Sequence, residues 1–186
     1  GLQHSHMPDM PWLANVKHSI NLSYQSADQG RKLPANQDYT ASLQFNDGSL
    51  AELQYGFTSQ GWDDRSAGSQ WFFQQNQRHK LKAYYASPYQ GEFSWAASYQ
   101  RAQEGLQGWA NVYALDLTWL PSARWNLRFN NSFTDSSDWL IGTGEGKLSQ
   151  FSRRMFNSSL KVSSLIGDKL EASLNIQWSR LDATAK

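Results

Sequence analysis

A run of alternating side chains from Trp109 to Phe133 constrains the fold more than any other stretch of the chain. Every second residue of its first half belongs to a largely apolar set: Trp109, Asn111, Tyr113, Leu115, Leu117 and Trp119. After Pro121-Ser122-Ala123 the alternation resumes with Trp125, Leu127, Phe129, Asn131 and Phe133. The residues between them are smaller or more polar. A period of two is typical of strands with one apolar and one wet face, so the run predicts a β-hairpin.

The spacing of the aromatic residues gives this hairpin a length scale. Trp109 and Trp119 mark the two ends of one apolar strand face. At about 3.3 Å per residue, that face is roughly 33 Å long. A strand tilt of about 40° projects it to roughly 25 Å, the height of the apolar band between the aromatic girdles of a transmembrane barrel. We therefore expect four tryptophans to lie at membrane interfaces: Trp109, Trp119, Trp125 and Trp178.

The composition excludes several classes of protein. With 39% hydrophobic residues, a mean hydropathy of −0.67 and no run near the ~20 apolar residues of a spanning helix, the chain is not a helical membrane protein. A barrel passes this test because half of each strand faces a polar lumen. The absence of Cys excludes disulfides and Cys-ligated zinc. A net charge of +1 argues against nucleic-acid binding as the main role.

The rest of the chain repeats the alternating pattern. It predicts nine strands, at about 14–25, 38–46, 49–58, 71–87, 91–102, 109–120, 125–133, 150–163 and 168–180. Residues 71–87 could instead form two short strands, but a single strand preserves the alternation of short turns and long loops seen in barrels. Asn46-Asp47-Gly48 predicts a tight turn, and Thr134–Ser149 a long loop. All five prolines are expected outside strand interiors.

These signals predict an all-β fold, an antiparallel up-and-down meander of about nine long strands that is part of a transmembrane β-barrel. We interpret residues 1–11 as a tag or linker-like lead-in and residues 12–186 as the barrel domain. An odd strand count leaves the two chain ends on opposite sides, whereas single-chain bacterial barrels have even counts. We therefore expect at least one strand after Lys186 and several before Trp12. A soluble β-rich domain stays open, because alternation alone does not separate the two.

Three stretches resemble a known family. They are PWLANVKHSINLSY, FNDGSLAELQYGF, and the run from Leu115 through SSDWL to FSRRMFNSSLKVSSLIGDKLEASLNIQWSRLDA. Together they are similar to the C-terminal barrel of a bacterial outer-membrane family of unknown function, whose members carry an N-terminal family-9-type carbohydrate-binding module. The resemblance rests on strand and turn patterns. It implies a fragment without that module and without part of the barrel, and it implies no established activity.

Few residues suggest chemistry. Asp63-Asp64-Arg65 is best interpreted as an exposed charged loop, and Asp135, Asp138 and Glu145 lack the spacing of a calcium loop. His18 and His79 have no acidic residue at ligand spacing and are interpreted as barrel-wall residues. We expect no catalytic, cofactor-binding or metal-binding residues, and hence no enzyme.

The sequence leaves two functions open. The first is a bacterial outer-membrane barrel segment that acts as a pore, an anchor or an export scaffold. Its expected partners are outer-membrane lipid, the missing module and remaining strands of the same protein, and glycans, but not nucleic acid. The second is a soluble β-rich carbohydrate-binding domain that uses exposed Trp and Tyr as stacking platforms.

Overall fold

The computed structural model is built from β-strands throughout its described part, which comprises residues 1–24, 32–63, 73–89, 91–106, 108–142, 148–167 and 170–186. The strands are β1 (Leu2–His6), β2 (Leu13–Ser23), β3 (Asn36–Phe45), β4 (Leu50–Thr58), β5 (Gly61–Asp63), β6 (Phe73–Gln75), β7 (Arg78–Ala86), β8 (Phe93–Glu104), β9 (Gly108–Ser122), β10 (Trp125–Gly142), β11 (Leu148–Ile166) and β12 (Leu170–Ala185). None of these residues belongs to a helix that could cross a membrane.

Ten strands form one antiparallel meander. Their order in the sheet is β1-β2-β3-β4-β7-β8-β9-β10-β11-β12, so each strand pairs with the previous strand and the next one, and β1 and β12 are the two ends of this order. The predicted all-β antiparallel meander is confirmed. Successive connections lie at alternate ends of the sheet. We call the end with the β3–β4, β7–β8, β9–β10 and β11–β12 connections the short-connection end, and the other end, which includes the β2–β3 and β4–β7 connections as well as the tight β8–β9 turn, the long-connection end.

The predicted single strand at 71–87 is interrupted. In its described part, β6 ends at Gln75 and β7 begins at Arg78. β6 pairs with β5 in a separate two-stranded sheet, while β7 pairs with β4. The two pairs are successive parts of one long hairpin. The chain therefore does not reverse at residues 76–77, as predicted for a single strand. The predicted alternation of short and long connections does not hold throughout, because the β8–β9 connection is a tight turn between Glu104 and Gly108.

Apart from the interruption at residues 76–77, strands are present at all nine predicted positions, but the sheet contains one more. Residues Leu2–His6, predicted to be part of a lead-in, pair with β2 as an additional edge strand. The count of nine is therefore wrong, because lead-in residues supply a tenth strand. The last strand still ends at the long-connection end, so the expectation of further strands stays a prediction. The interpretation of residues 1–11 as a tag or linker stays a prediction.

The predicted long loop at Thr134–Ser149 is also wrong in its described part. β10 continues to Gly142 and β11 begins at Leu148. A register shift between Ser136 and Trp139 accommodates the irregular pattern of this stretch within the strand, as β-bulges do. Glu145 and its neighbours at 143–147 lie outside the described residues. The hairpin is longer than predicted because the bulge hides the alternation on which the prediction relied.

Pro121 lies at the end of a strand, and the tight turn after β3 forms as predicted. Pro121 is the penultimate residue of β9, so it lies inside the strand limits, but at the end where a missing amide costs least. The turn at Asn46-Asp47-Gly48 is confirmed. Gly48 has a φ of 90°, and its amide donates to the carbonyl of Phe45 over 3.0 Å.

Very little apolar surface is buried within the described part of the chain. The buried apolar residues are Leu13, Val16 and Ala110. Every residue of β12 is exposed. A sheet with this profile holds together through its strand pairing, and its two faces are available for contacts.

Candidate functional site: the two faces of the sheet

Strand register places the apolar positions of neighbouring strands on one face. Leu117 lies opposite Phe129 on β10 and opposite Trp95 on β8. Phe129 lies opposite Leu160, which lies opposite Ile176 on β12. The same alternation continues to the other edge of the sheet. We call this surface the apolar face, and its central members are Ile20, Leu22, Tyr39, Leu43, Leu53, Tyr55, Leu81, Tyr85, Trp95, Tyr99, Tyr113, Leu115, Leu117, Trp119, Leu127, Phe129, Phe133, Leu160, Val162, Leu174, Ile176 and Trp178.

The apolar face is open to its surroundings. Leu53 on β4 is 51% exposed, Tyr113 on β9 49%, and Ile176 on β12 53%. Exposed apolar patches larger than a few hundred Å² on a soluble protein mark an interaction site. Here the patch runs across strands from both edges of the sheet. It is therefore more extensive than a single small ligand would cover.

Aromatic pairs across neighbouring strands stiffen this face. Ring centroids lie 5.2 Å apart in Tyr85–Trp95 and 5.0 Å apart in Tyr99–Tyr113. Near the β12 edge, Trp178 meets Phe156 edge to face at 5.3 Å. Cross-strand aromatic pairs contribute roughly 0.2–1 kcal/mol each relative to alanine pairs. They also fix the register that keeps the apolar positions on one face.

The four tryptophans expected at an interface lie in strands and are placed differently. Trp119 and Trp125 flank the short β9–β10 turn and are 48% and 47% exposed. Trp178 is 62% exposed on β12. Trp109 is half-buried, and the Arg101 guanidinium lies 4.7 Å from its ring centroid. Their role at a membrane interface stays a prediction.

A row of polar residues borders the apolar face at the long-connection end. Asn111, Asp135, Arg154 and Asp182 lie opposite one another on successive strands. An ion pair joins Arg154 to Asp135 at 3.4 Å. The row separates Trp109 from the apolar residues that begin at Tyr113. The apolar part of β9 therefore ends at Tyr113, two positions beyond this row.

The opposite face is polar. We call it the polar face, and its members include Lys17, Asp38, Ser42, Glu52, Gln54, Lys80, Lys82, Gln100, Asp116, Arg128, Asn130, Lys161, Glu171, Asn175 and Gln177. The predicted separation of Leu115, Leu117, Trp119, Leu127, Phe129, Leu174 and Ile176 from Asp116, Arg128, Glu171 and Gln177 is confirmed by the register. The medium that each face meets stays a prediction.

One ion pair on the polar face reaches across an intervening strand. Lys80 Nζ lies 3.4 Å from Asp38 Oδ1, and Gly56 lies between them in register. A Cβ at Gly56 would come within 2.9 Å of the Asp38 carboxylate and 3.0 Å of Lys80 Cε. The glycine thus leaves room for the two side chains to meet above β4.

A partly buried polar cluster lies at the long-connection end of the polar face. Arg153 donates to Glu104 over 2.7 Å, and the Ser136 hydroxyl donates to the second oxygen of the same carboxylate. The Arg153 guanidinium also stacks on Trp139, 4.7 Å from the ring centroid. Ser136 is 2% exposed. This cluster connects β8, β10 and β11.

Asp138 forms a second link beside that cluster. Its Oδ2 accepts hydrogen bonds from the backbone amides of Leu106 and Gly108, over 2.8 and 3.0 Å, and its Oδ1 accepts one from Gln150 over 2.7 Å. The residue is 2% exposed. A buried carboxylate is tolerated where hydrogen bonds replace its water. Asp138 therefore joins the β8–β9 turn to the β10–β11 hairpin.

Sequence reasoning missed this structural role and considered Asp138 only as a weak loop ligand. The available signal was the Gly105-x-x-Gly108 spacing at the β8–β9 turn, because two glycines in a tight turn allow a side chain to approach the backbone. In the described part of the chain, no group of three or more His, Asp or Glu side chains is arranged to hold a metal ion. Asp64 and Arg65 lie outside the described residues.

The two histidines interpreted as wall residues lie in strands on the apolar face, and each contacts a tyrosine hydroxyl. His18 Nδ1 lies 2.7 Å from Tyr39 Oη, and His79 Nδ1 lies 2.7 Å from Tyr55 Oη. Tyr39 and Tyr55 are themselves opposite each other in register. Each hydrogen bond gives a partner to one imidazole nitrogen that would otherwise be unpaired on an apolar surface.

Comparison of the chain with protein-family models, with curated proteins and with solved structures gives no match. The function must therefore be inferred from the two faces themselves.

Proposed function

We propose that this chain is a segment of a β-barrel in the bacterial outer membrane, where it acts as a pore, an anchor or an export scaffold and performs no catalysis. The observation that carries the proposal is the apolar face, which is exposed and continuous across the meander and is backed by a polar face. Lipid tails would cover such a surface, and a hydrated lumen would solvate the charges behind it. The resemblance of three stretches to an outer-membrane barrel family supports the same assignment.

The energetic cost of a charged residue depends on whether its face of the sheet meets lipid or water. A Lys or Arg on the lipid side of a barrel strand costs about 2–4 kcal/mol at the bilayer midplane. Asp116, Arg128 and Lys161 all lie on the polar face. On β9–β12, two neighbouring rows of the apolar face hold only aliphatic and aromatic residues, and the next row adds the uncharged Asn131 and Ser158. The separation of the two residue types by face is therefore what a bilayer demands.

A soluble carbohydrate-binding domain is the competing proposal, and exposed aromatic side chains such as Tyr99 and Tyr113 favour it. Stacking on a sugar needs one or two exposed rings in a polar setting. Here the rings alternate with exposed leucine and isoleucine over several strands. That setting favours lipid over sugar.

Spin labels at adjacent positions test the proposal. The chain has no Cys, so Leu117→Cys and Asp116→Cys each give one labelling site. In lipid vesicles we expect the label at 117 to relax with oxygen, which partitions into the bilayer, and the label at 116 with a polar reagent. Equal access at both positions would count against a membrane. Folding in buffer without detergent, with the same circular dichroism, would favour the soluble alternative.

A further inference from the structure

A groove of about 620 Å³ lies at the short-connection end of the sheet. Polar-face residues from β10, β11 and β12 line it, together with the β9–β10 turn. Arg128 and Lys161 form part of its wall. The groove belongs to the folded sheet itself, so an inference from it does not depend on the membrane assignment.

Two cations lie side by side in this groove, and neither has an ion-pair partner in the part of the chain that the structure describes. Arg128 is directly opposite Lys161 in the β10–β11 register. Like charges in that position destabilise a sheet. Neither Arg128 nor Lys161 takes part in an ion pair among the described residues. Other basic side chains there do form ion pairs, with Asp38, Glu104, Asp135 and Asp182. An uncompensated pair of this kind reduces stability without any benefit visible in the fold, which is typical of a functional site.

The remaining wall gives the groove a direction. Asn126 and Ser163 lie opposite each other, two positions from the cations toward the turn. Glu171 lies opposite Leu165, four positions from Lys161 and so roughly 13 Å along the strand. Arg128 and Lys161 are therefore at one end and neutral hydrogen-bonding groups lie in the middle. The turn side holds charges of both signs, Arg124 with Glu92 and Glu171.

We propose that this groove binds a small anion with a hydroxylated body, such as the phosphate monoester of a polyol. Arg128 and Lys161 bind the anionic group through charge-assisted hydrogen bonds, which are about twice as strong as neutral ones. Asn126 and Ser163 receive the hydroxyl groups. In a pore, the same site would give the lumen a preference for anionic polar solutes.

Calorimetric titration of the full chain in detergent micelles tests the site with three probes. Glycerol 3-phosphate carries both features, sulfate carries the charge alone, and glycerol carries the hydroxyls alone. We expect glycerol 3-phosphate to bind most tightly, sulfate more weakly, and glycerol not measurably. Arg128→Gln and Lys161→Gln should each lower the affinity for glycerol 3-phosphate by about tenfold or more.

A stability measurement separates loss of the site from loss of the fold. Because each substitution removes a like-charge repulsion, both variants should unfold at a higher urea concentration than the parent chain while binding more weakly. Lys17→Gln, on the polar face of β2 and away from the groove, should leave binding unchanged. The proposal fails if the parent chain does not bind glycerol 3-phosphate, if sulfate binds equally well, or if both groove variants bind like the parent.

Discussion

At the scale of single residues, the Asp47 turn shows most directly how the sequence determines local structure. The Ser49 hydroxyl donates to Asp47 Oδ1 over 2.6 Å, and the Ser49 amide donates to the same oxygen over 2.8 Å. Both hydrogen bonds favour the ionised carboxylate and hold the pKa of Asp47 below its ordinary value of 3.8, the hydroxyl contributing most. The stabilisation is therefore present above pH 3.8 and is lost as pH falls through the lower pKa of the folded state.

Removing that hydroxyl should raise the pKa of Asp47. We expect Ser49→Ala to move it toward 3.8, since only the backbone donor remains, and carboxyl carbon NMR over a pH titration would measure it. Ser42→Ala, which removes the hydrogen bond from Ser42 to Glu52, serves as the control and should leave Asp47 unaffected. An identical Asp47 titration in Ser49→Ala and the parent chain would show that the hydroxyl contact is not made in solution.

At the scale of strands and hairpins, the Asp138 link leaves no room for a side chain at Gly105 in the β8–β9 turn. Gly105 has a φ of +67°, and a Cβ there would come within 2.1 Å of the Asp138 carbonyl oxygen. Gly167, in the β11–β12 turn, has a φ of +65° with nothing within 4 Å of the same position. Gly105 and Gly167 therefore share almost the same φ but differ in what surrounds them.

This contrast gives a matched pair of substitutions. Gly167→Ala should cost about 1–2 kcal/mol, the usual penalty for a left-handed conformation with a side chain. Gly105→Ala should cost a further ~1–3 kcal/mol because the added methyl collides with Asp138. Urea unfolding followed by tryptophan fluorescence would measure both. Equal losses would mean that Asp138 does not lie against the turn.

The same elements show what the sequence could and could not predict. Strict alternation located β2 to β4 and β8 to β12, and the alternation of turn lengths gave the order of the meander. Where a β-bulge breaks the period of two, as between Ser136 and Trp139, the alternation of side chains is lost and the sequence predicts a loop in place of the strand. The contacts of Asp138 with the β8–β9 turn could not be predicted because they join residues 30 or more positions apart, whose proximity depends on the completed register.

At the scale of the whole molecule, the membrane assignment makes a prediction about charge. Leu117→Arg, in the middle of the apolar face, should destabilise the chain in lipid vesicles by about 2–4 kcal/mol. Asn130→Arg, on the polar face beside Asp116, should have little effect because its charge faces a hydrated surface and a carboxylate. Urea titrations in vesicles would compare them. Similar losses for both variants would contradict an assignment of the two faces to different media.

The even number of strands has a consequence for labelling and fusion. Leu2 pairs with Ile20 near the end of β2, and Ala185 pairs with Phe151 near the start of β11. The first residue of β1 and the last residue of β12 therefore point toward the same end of the sheet, the one opposite the turns at Gly48 and Gly167. In a bilayer, peptides attached at these two positions would emerge into a single compartment, and a protease confined to that side would cut both or neither.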